Sequence, residues 1–236
     1  MIGRWIFVRG RTLDRRDRLV LAALFVLALL ALLPLRLVLG LTMPESVTAR
    51  SAEGSVWDGR IADLKAGPLP LGTVEAGLQP LSLLIGQARF AIAREGFEAT
   101  VGSSRIANAN GSVLLPDGLG GLPVTSLGFG DLTVVMDGGQ CSEANGTLSL
   151  TLASLGPLLP DAITLSGQAR CEKGALLVPM RGPRGMERMT LKIGGDGRWQ
   201  ADLTLTGLPQ ETADALKSGG FDARPGGIGI GTSGTF

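Results

Sequence analysis

The feature that most constrains this chain is an uncharged apolar segment close to its N-terminus. The stretch from Leu19 to Leu35 contains no charged side chain. At about 1.5 Å per residue, a helix over this stretch covers roughly 26 Å, and extension to Met43, with only Arg36 intervening, reaches bilayer thickness. The sequence therefore predicts a leader at 1–18, a transmembrane helix at 19–40 and an exported domain at 44–236.

The charge before this segment predicts its orientation. The leader has two carboxylates, Asp14 and Asp17, and an excess of arginines, namely Arg4, Arg9, Arg11, Arg15, Arg16 and Arg18. Basic residues next to an apolar segment resist translocation, so the N-terminus is expected to stay in the cytoplasm. We expect a bacterial inner-membrane protein that crosses the membrane once and has most of its chain in the periplasm.

Two other interpretations of the apolar segment stay open. One is a cleaved signal peptide, because Val47, Thr48 and Ala49 offer small residues at a conceivable cleavage site. The other is a buried core helix. A retained anchor fits better, because the apolar run exceeds the usual signal-peptide length and its apolar residues surround the whole helix instead of forming one stripe.

Composition excludes several classes of function. Basic and acidic side chains are nearly balanced, 22 against 21, and six arginines are in the leader, so we expect no nucleic-acid partner. The chain has no histidine, which removes the commonest general base and the commonest zinc ligand. We find no nucleophile motif and no carboxylate spacing signature. The sequence therefore predicts no catalytic residue, no metal site, no cofactor and no enzymatic activity.

Beyond the apolar segment, the dominant hydrophobic period is two, which is typical of half-buried strands. Glycine-rich and proline-rich breaks separate the alternating runs, and 194–197 is expected to be a hairpin turn. Short helices are expected at about Pro209–Lys217 and as one turn at Leu81–Ile85. We predict an all-β domain with an antiparallel sheet, either curled or two-layered, jelly-roll-like or forming an open groove, with a poorly defined glycine-rich tail from about position 222.

Cys141 and Cys171 are the two cysteines of the chain. A disulfide is the natural interpretation in an oxidising compartment, where it would stabilise the domain by roughly 3 to 4 kcal/mol. Two buried thiols are the structural alternative. A two-cysteine metal site is disfavoured, because no histidine or further cysteine completes a ligand shell.

Three short motifs follow the apolar segment in a fixed order. They are Gly-Ser-Val-Trp-Asp-Gly-Arg at 54–60, Leu-Gly-Thr at 71–73 and Leu-Gln-Pro-Leu-Ser-Leu-Leu-Ile-Gly at 78–86. Together with the anchor and the two cysteines, this set resembles the type II secretion system protein N family, from the anchor to about Phe221. The resemblance implies an inner-membrane accessory of the machine that exports folded proteins across the outer membrane, without enzymatic activity.

The conspicuous residues of these motifs are candidates for a structural or interface role. They are Trp57, Gly59, Gly72, Pro80 and Gly86. The indole of Trp57 is expected either to pack into the apolar face or, less favoured, to project as an interface anchor. Gly59 and Gly72 are expected to serve turns, bulges or close strand contacts.

Two functions from different classes remain. The first is a scaffold that holds partner subunits of a secretion assembly through strand edges or the β face. The alternative is a membrane-tethered β-groove that binds or transfers lipid or lipopolysaccharide in the periplasm. The partner subunit, the stoichiometry and the secreted cargo are not encoded in any pattern that we recognise.

Overall fold

The computed structural model describes residues 14–42, 46–154 and 161–235. The leader arginines Arg4, Arg9 and Arg11 therefore lie outside the described residues. Helix α1 is Arg15–Ala31 and helix α2 is Leu35–Thr42. Asp14 caps α1, because its side chain accepts a hydrogen bond from the Arg15 backbone N–H at 2.7 Å.

The single helix expected at 19–40 is not confirmed, because the chain forms two helices that are separated at Leu32–Pro34. Proline has no backbone N–H and restricts the residue before it, so Pro34 is the physical reason for the break. Among the described residues, no helix combines the length and the apolarity needed to cross a bilayer. None of the residues of α1 is buried, and Leu24, for example, is 56% exposed.

The rest of the described chain is dominated by strands. The first eight strands are β1 Val47–Thr48, β2 Ser51–Gly54, β3 Gly59–Ala66, β4 Leu69–Leu78, β5 Arg89–Arg94, β6 Phe97–Gly102, β7 Arg105–Leu114 and β8 Val124–Asp137. The others are β9 Gln140–Leu152, β10 Ile163–Gln168, β11 Arg170–Glu172, β12 Ala175–Arg181, β13 Glu187–Ile193, β14 Arg198–Leu205, β15 Asp222–Arg224 and β16 Gly227–Thr235. Two short helices interrupt them, α3 Pro80–Leu84 and α4 Gln210–Ser218.

These strands form one open antiparallel sheet of 16 strands within the described residues, which confirms the predicted antiparallel β class. Neighbours in the sheet are almost always neighbours in sequence, from β3 through β10 and from β12 to β14. A jelly roll requires Greek-key connections between two sheets, so that alternative is wrong. The register of β13 with β14, from Glu187↔Leu205 to Ile193↔Trp199, places the expected hairpin turn at 194–197.

The sheet curls, so that segments distant in sequence meet. The Thr232 hydroxyl of β16 donates to the Gly120 carbonyl at 2.6 Å, in the loop between β7 and β8. The indole of Trp199 lies between Gly120 and Gly234, where an added Cβ would come within 2.5 and 2.9 Å of it. Curling encloses a large apolar cluster in which Leu150 and Leu165 are fully buried. The β7–β8 loop and helix α4 contribute Leu122 and Leu216 to this cluster.

The two cysteines form the predicted disulfide. It joins β9 to β11 with a Cα–Cα distance of 5.4 Å. The glycine-rich tail, for which the sequence indicates no defined structure, forms β15 and β16. Its order has a physical reason, because Ile228 alternates with glycines and enters the apolar cluster while Gly234 lets the Trp199 ring approach the backbone.

Candidate interaction site

The helical N-terminal segment is attached to the first strands by backbone and indole hydrogen bonds. The Trp57 indole N–H donates to the Leu30 carbonyl at 2.8 Å. The Val56 backbone N–H donates to the Leu33 carbonyl at 2.8 Å. Pro34 forms an antiparallel bridge with Ser55. The Val56–Leu33 bond is part of this bridge, so the chain before the sheet is held against residues 55–57 by the backbone bridge and by the indole bond.

The sequence explains why this contact forms at the end of α1. Carbonyls in the last turn of a helix lack intrahelical donors and carry the negative end of the helix dipole. Leu30 would normally accept from residue 34, but that residue is a proline. A longer contact from the Leu33 N–H at 3.4 Å serves the same oxygen. The Trp57 indole supplies the shorter bond, while its ring is half-buried.

A second contact between the N-terminal segment and the sheet is the packing of an apolar side chain. Leu35, the first residue of α2, is completely buried in a small apolar cluster with Ile61 and Leu64 of β3 and with Val74 and Ala76 of β4. Helix α2 therefore packs as part of the β domain.

Gly59 makes room for this packing. A Cβ on Gly59 would lie 2.5 Å from Cδ2 of Leu35, 2.8 Å from the Ser55 carbonyl oxygen and 2.9 Å from that of Glu53. Any side chain at this position would collide with both helix α2 and the neighbouring strand β2. The absence of a side chain at Gly59 therefore allows α2 to lie against the sheet.

Of the other motif residues, Pro80 and Gly86 lie near Trp57, whereas Gly72 does not. The Leu78 N–H donates to the Val56 carbonyl at 2.8 Å, so the end of β4 lies beside Trp57. Pro80, two residues after Leu78, is the first residue of α3, and Gly86, with φ +73°, ends the turn after this helix. Gly72 lies elsewhere, opposite Leu64 in an irregular part of the β3–β4 pairing. The structure thus brings Trp57, Gly59, Pro80 and Gly86 to the sheet end that adjoins α1.

This end of the sheet also exposes apolar side chains. On and just after α3, Leu81 is 78% exposed, Leu83 40% and Ile85 67%. A cleft of about 310 Å³ lies next to them and is lined by the segments 86–89 and 102–105, including Arg89 and Arg105. Arg89 donates to the side-chain carbonyl of Gln87.

Sequence reasoning missed part of this site. It assigned Leu30, Leu33 and Leu35 to one membrane helix, although Pro34 was a signal for a break at this point. It also gave no role to Arg89 or Arg105, because single arginines at strand ends have no signature. Among the described residues, no cluster of three or more His, Cys, Asp or Glu side chains could hold a metal ion.

The fold and this site define a class of protein, namely an open, curled antiparallel sheet joined at its first edge to an exposed apolar helix. The family model for type II secretion system (T2SS), protein N, matches residues 45–231. The chain therefore belongs to the type II secretion system protein N family, as its motifs predict. No curated protein and no solved structure matches it. Membership makes it a component of the type II secretion machinery at the level of the family.

Proposed function

We propose that this chain is a single-pass inner-membrane accessory of the type II secretion machinery, and that its β-sheet acts in the periplasm as a non-enzymatic scaffold for other subunits. The observation that carries the proposal is the family match over residues 45–231, which includes every strand from β1 to β15. Family membership supports a role in the type II secretion machinery, and the fold is the basis on which we infer a scaffold role.

The proposed membrane attachment is supported by helix α1. Its side chains are apolar from Leu19 onward, and none is buried against the sheet. An apolar helix that is exposed on all sides is expected to lie in another apolar medium. The hydrogen bond of Trp57 with Leu30 and the packing of Leu35 on the sheet would then hold the sheet in a fixed position relative to the membrane.

The proposed periplasmic location is supported by the Cys141–Cys171 disulfide, because such bonds persist in oxidising compartments. The leader arginines agree with a cytoplasmic N-terminus. A topology test follows directly. A fluorescent protein that matures in the cytoplasm alone should be dark when it is fused after Phe236 and bright when it is fused before Met1, and the opposite pattern would exclude this orientation.

An unpaired strand edge supports the scaffold role. Strand β15 pairs with β16 only at 227–229, so the outer edge of β16 from Ile230 to Thr235 is free of strand partners within the described chain. Exposed edges accept an additional strand through backbone hydrogen bonds. This edge is where we expect a partner subunit to bind.

The decisive experiment compares proteins released into the medium by cells with and without this gene. Loss of the gene should leave folded exoenzymes in the periplasm, while a periplasmic marker stays inside the cells. A plasmid copy should restore release. Normal export in the deletion strain would refute the proposal.

The lipid-carrier alternative is tested in the same cells. It would require an apolar trough open to a ligand, but Leu150 and Leu165 are fully buried and fill the apolar face. A cleft of about 690 Å³ at the turns after β8, β11 and β13 has a charged lining that includes Lys173, Lys192 and Arg198. Normal export together with sensitivity to hydrophobic antibiotics would favour lipid transport instead.

A further inference from the structure

The exposed apolar residues of α3 lie beside the end of α1 in the fold. A short series of contacts connects them. Leu30 accepts from Trp57, the neighbouring Val56 accepts from Leu78, and Pro80 begins α3 two residues later. The Gln79 N–H donates to the Arg89 carbonyl at 2.9 Å, which fixes the start of α3 next to the arginine cleft.

This position matters because of what α1 is proposed to do. If α1 enters the bilayer, its C-terminal end at Leu30–Pro34 lies at the membrane surface, and the sheet end that it contacts faces that surface. Indole rings favour this interfacial zone, which suits Trp57. Leu81 and Ile85 then project from the part of the sheet that is nearest to the lipid.

The surrounding charge fits the same surface. The cleft beside α3 contains Arg89 and Arg105, and no carboxylate is among its lining residues. Apolar side chains that enter the acyl boundary while arginines contact phosphate groups are the arrangement by which proteins lie on a membrane.

We infer that Leu81, Leu83 and Ile85 insert into the outer leaflet of the inner membrane, and that Arg89 and Arg105 bind lipid phosphates beside them. This inference rests on the proposed membrane attachment of α1. It adds a second membrane contact, through the α3 region, to the contact made by α1. With two contacts the sheet would keep a fixed tilt relative to the bilayer.

Photo-crosslinking of the full chain tests the inference. The chain is reconstituted in nanodiscs of phosphatidylethanolamine and phosphatidylglycerol, with p-benzoylphenylalanine in place of Leu81 or Ile85. Leu114 is the matched control, because it is 70% exposed and lies at the opposite end of β7 from Arg105, roughly 30 Å away. We expect lipid adducts, read by mass spectrometry, to be several-fold more abundant at positions 81 and 85 than at 114.

A positive control in the anchor separates this inference from the proposed function. The photoreactive residue in place of Leu24 should label lipid whenever α1 lies in the bilayer. Labelling at 24 but no excess at 81 and 85 over 114 overturns the second contact and leaves the anchor intact. Absence of lipid labelling at all positions overturns both membrane contacts, whereas the secretion assay judges the proposed function independently.

Two further readouts test the arginines and the identity of the partner. The double variant Arg89→Glu/Arg105→Glu should lower lipid labelling from position 81, whereas Arg188→Glu, an exposed charge on β13, should not. Equal labelling in both variants overturns the phosphate role. In irradiated cells, position 81 should again give lipid adducts; a discrete protein adduct without lipid would identify α3 as a subunit contact and overturn the inference.

Discussion

The indole N–H of Trp57 takes the place of the backbone N–H that Pro34 lacks. In a continuous helix, residue 34 would donate to the carbonyl of Leu30. Proline cannot do so, and Trp57 Nε1 lies 2.8 Å from that oxygen instead. Pro34 thus ends the helical hydrogen bonding, and Trp57, 23 positions later, donates to the Leu30 carbonyl and attaches α1 to the sheet.

Trp57→Phe should loosen this attachment without removing the aromatic ring. A lost hydrogen bond of this kind costs about 1 kcal/mol. We expect faster amide hydrogen exchange at Val56 and Leu78 in the full chain in nanodiscs, measured by mass spectrometry. Peptides that contain Leu150 or Leu165, in the large apolar cluster, should exchange as in the wild type. Unchanged exchange near Val56 would mean that the indole hydrogen bond does not hold the end of α1 against the sheet.

Gly59→Ala should destabilise the packing of α2 on the sheet, because the added methyl would collide with Leu35 and two backbone carbonyls. Overpacking of this kind costs about 1 to 3 kcal/mol. Gly40→Ala is the matched control: a Cβ there meets no atom within 4 Å, and alanine favours the helix by about 0.5 to 1 kcal/mol. In urea unfolding, the free energy of unfolding should fall for Gly59→Ala and rise for Gly40→Ala, relative to the wild type. Equal stabilities would contradict the steric role of Gly59.

Local alternation was sufficient to predict the antiparallel sheet and the turns. The run from Arg198 to Leu205 reads as a half-buried strand, and in β14 Trp199, Ala201, Leu203 and Leu205 are all buried. The short helix at 209–217 was also predictable, since Pro209 and Gly219 mark its two ends. The curl was not, because it depends on contacts such as that between Gly120 and Thr232, which no local pattern encodes.

The candidate site was predictable as a set of residues but not as an arrangement. The motif drew attention to Trp57 and Gly59 because tryptophan between glycines is conspicuous. Their partners are Leu30 and Leu35, and these were hidden inside a run of leucines in which every position looks alike. Only Pro34 distinguishes the part of that run that packs on the sheet from the part that stays exposed.

The disulfide should stabilise the sheet where β11 meets β9. The double variant Cys141→Ala/Cys171→Ala should lower the free energy of unfolding by roughly 3 to 4 kcal/mol, because the unfolded chain regains the freedom of the loop that the bond closes. Urea unfolding measures this difference. Wild-type protein treated with a reductant is the control and should lose a similar amount. If both retain wild-type stability, the bond does not contribute to folding.

Gly120→Ala and Gly121→Ala together test the curl of the sheet. Both glycines have positive φ, +55° and +86°, a region that alanine rarely adopts, so both substitutions strain the backbone. The contacts differ. A Cβ at Gly120 would lie 2.5 Å from the Trp199 ring and 2.8 Å from the Thr232 hydroxyl, whereas at Gly121 nothing lies within 4 Å.

Gly120→Ala should therefore be less stable than Gly121→Ala by about 1 to 3 kcal/mol in urea unfolding. It should also change the fluorescence of Trp199, because the β7–β8 loop must move away from the ring. Trp199→Phe in each background identifies the indole that reports the change. Equal stability and equal spectra for the two glycine variants would show that this loop does not close against β14 and β16, and the apolar face would then be open to solvent or to a ligand.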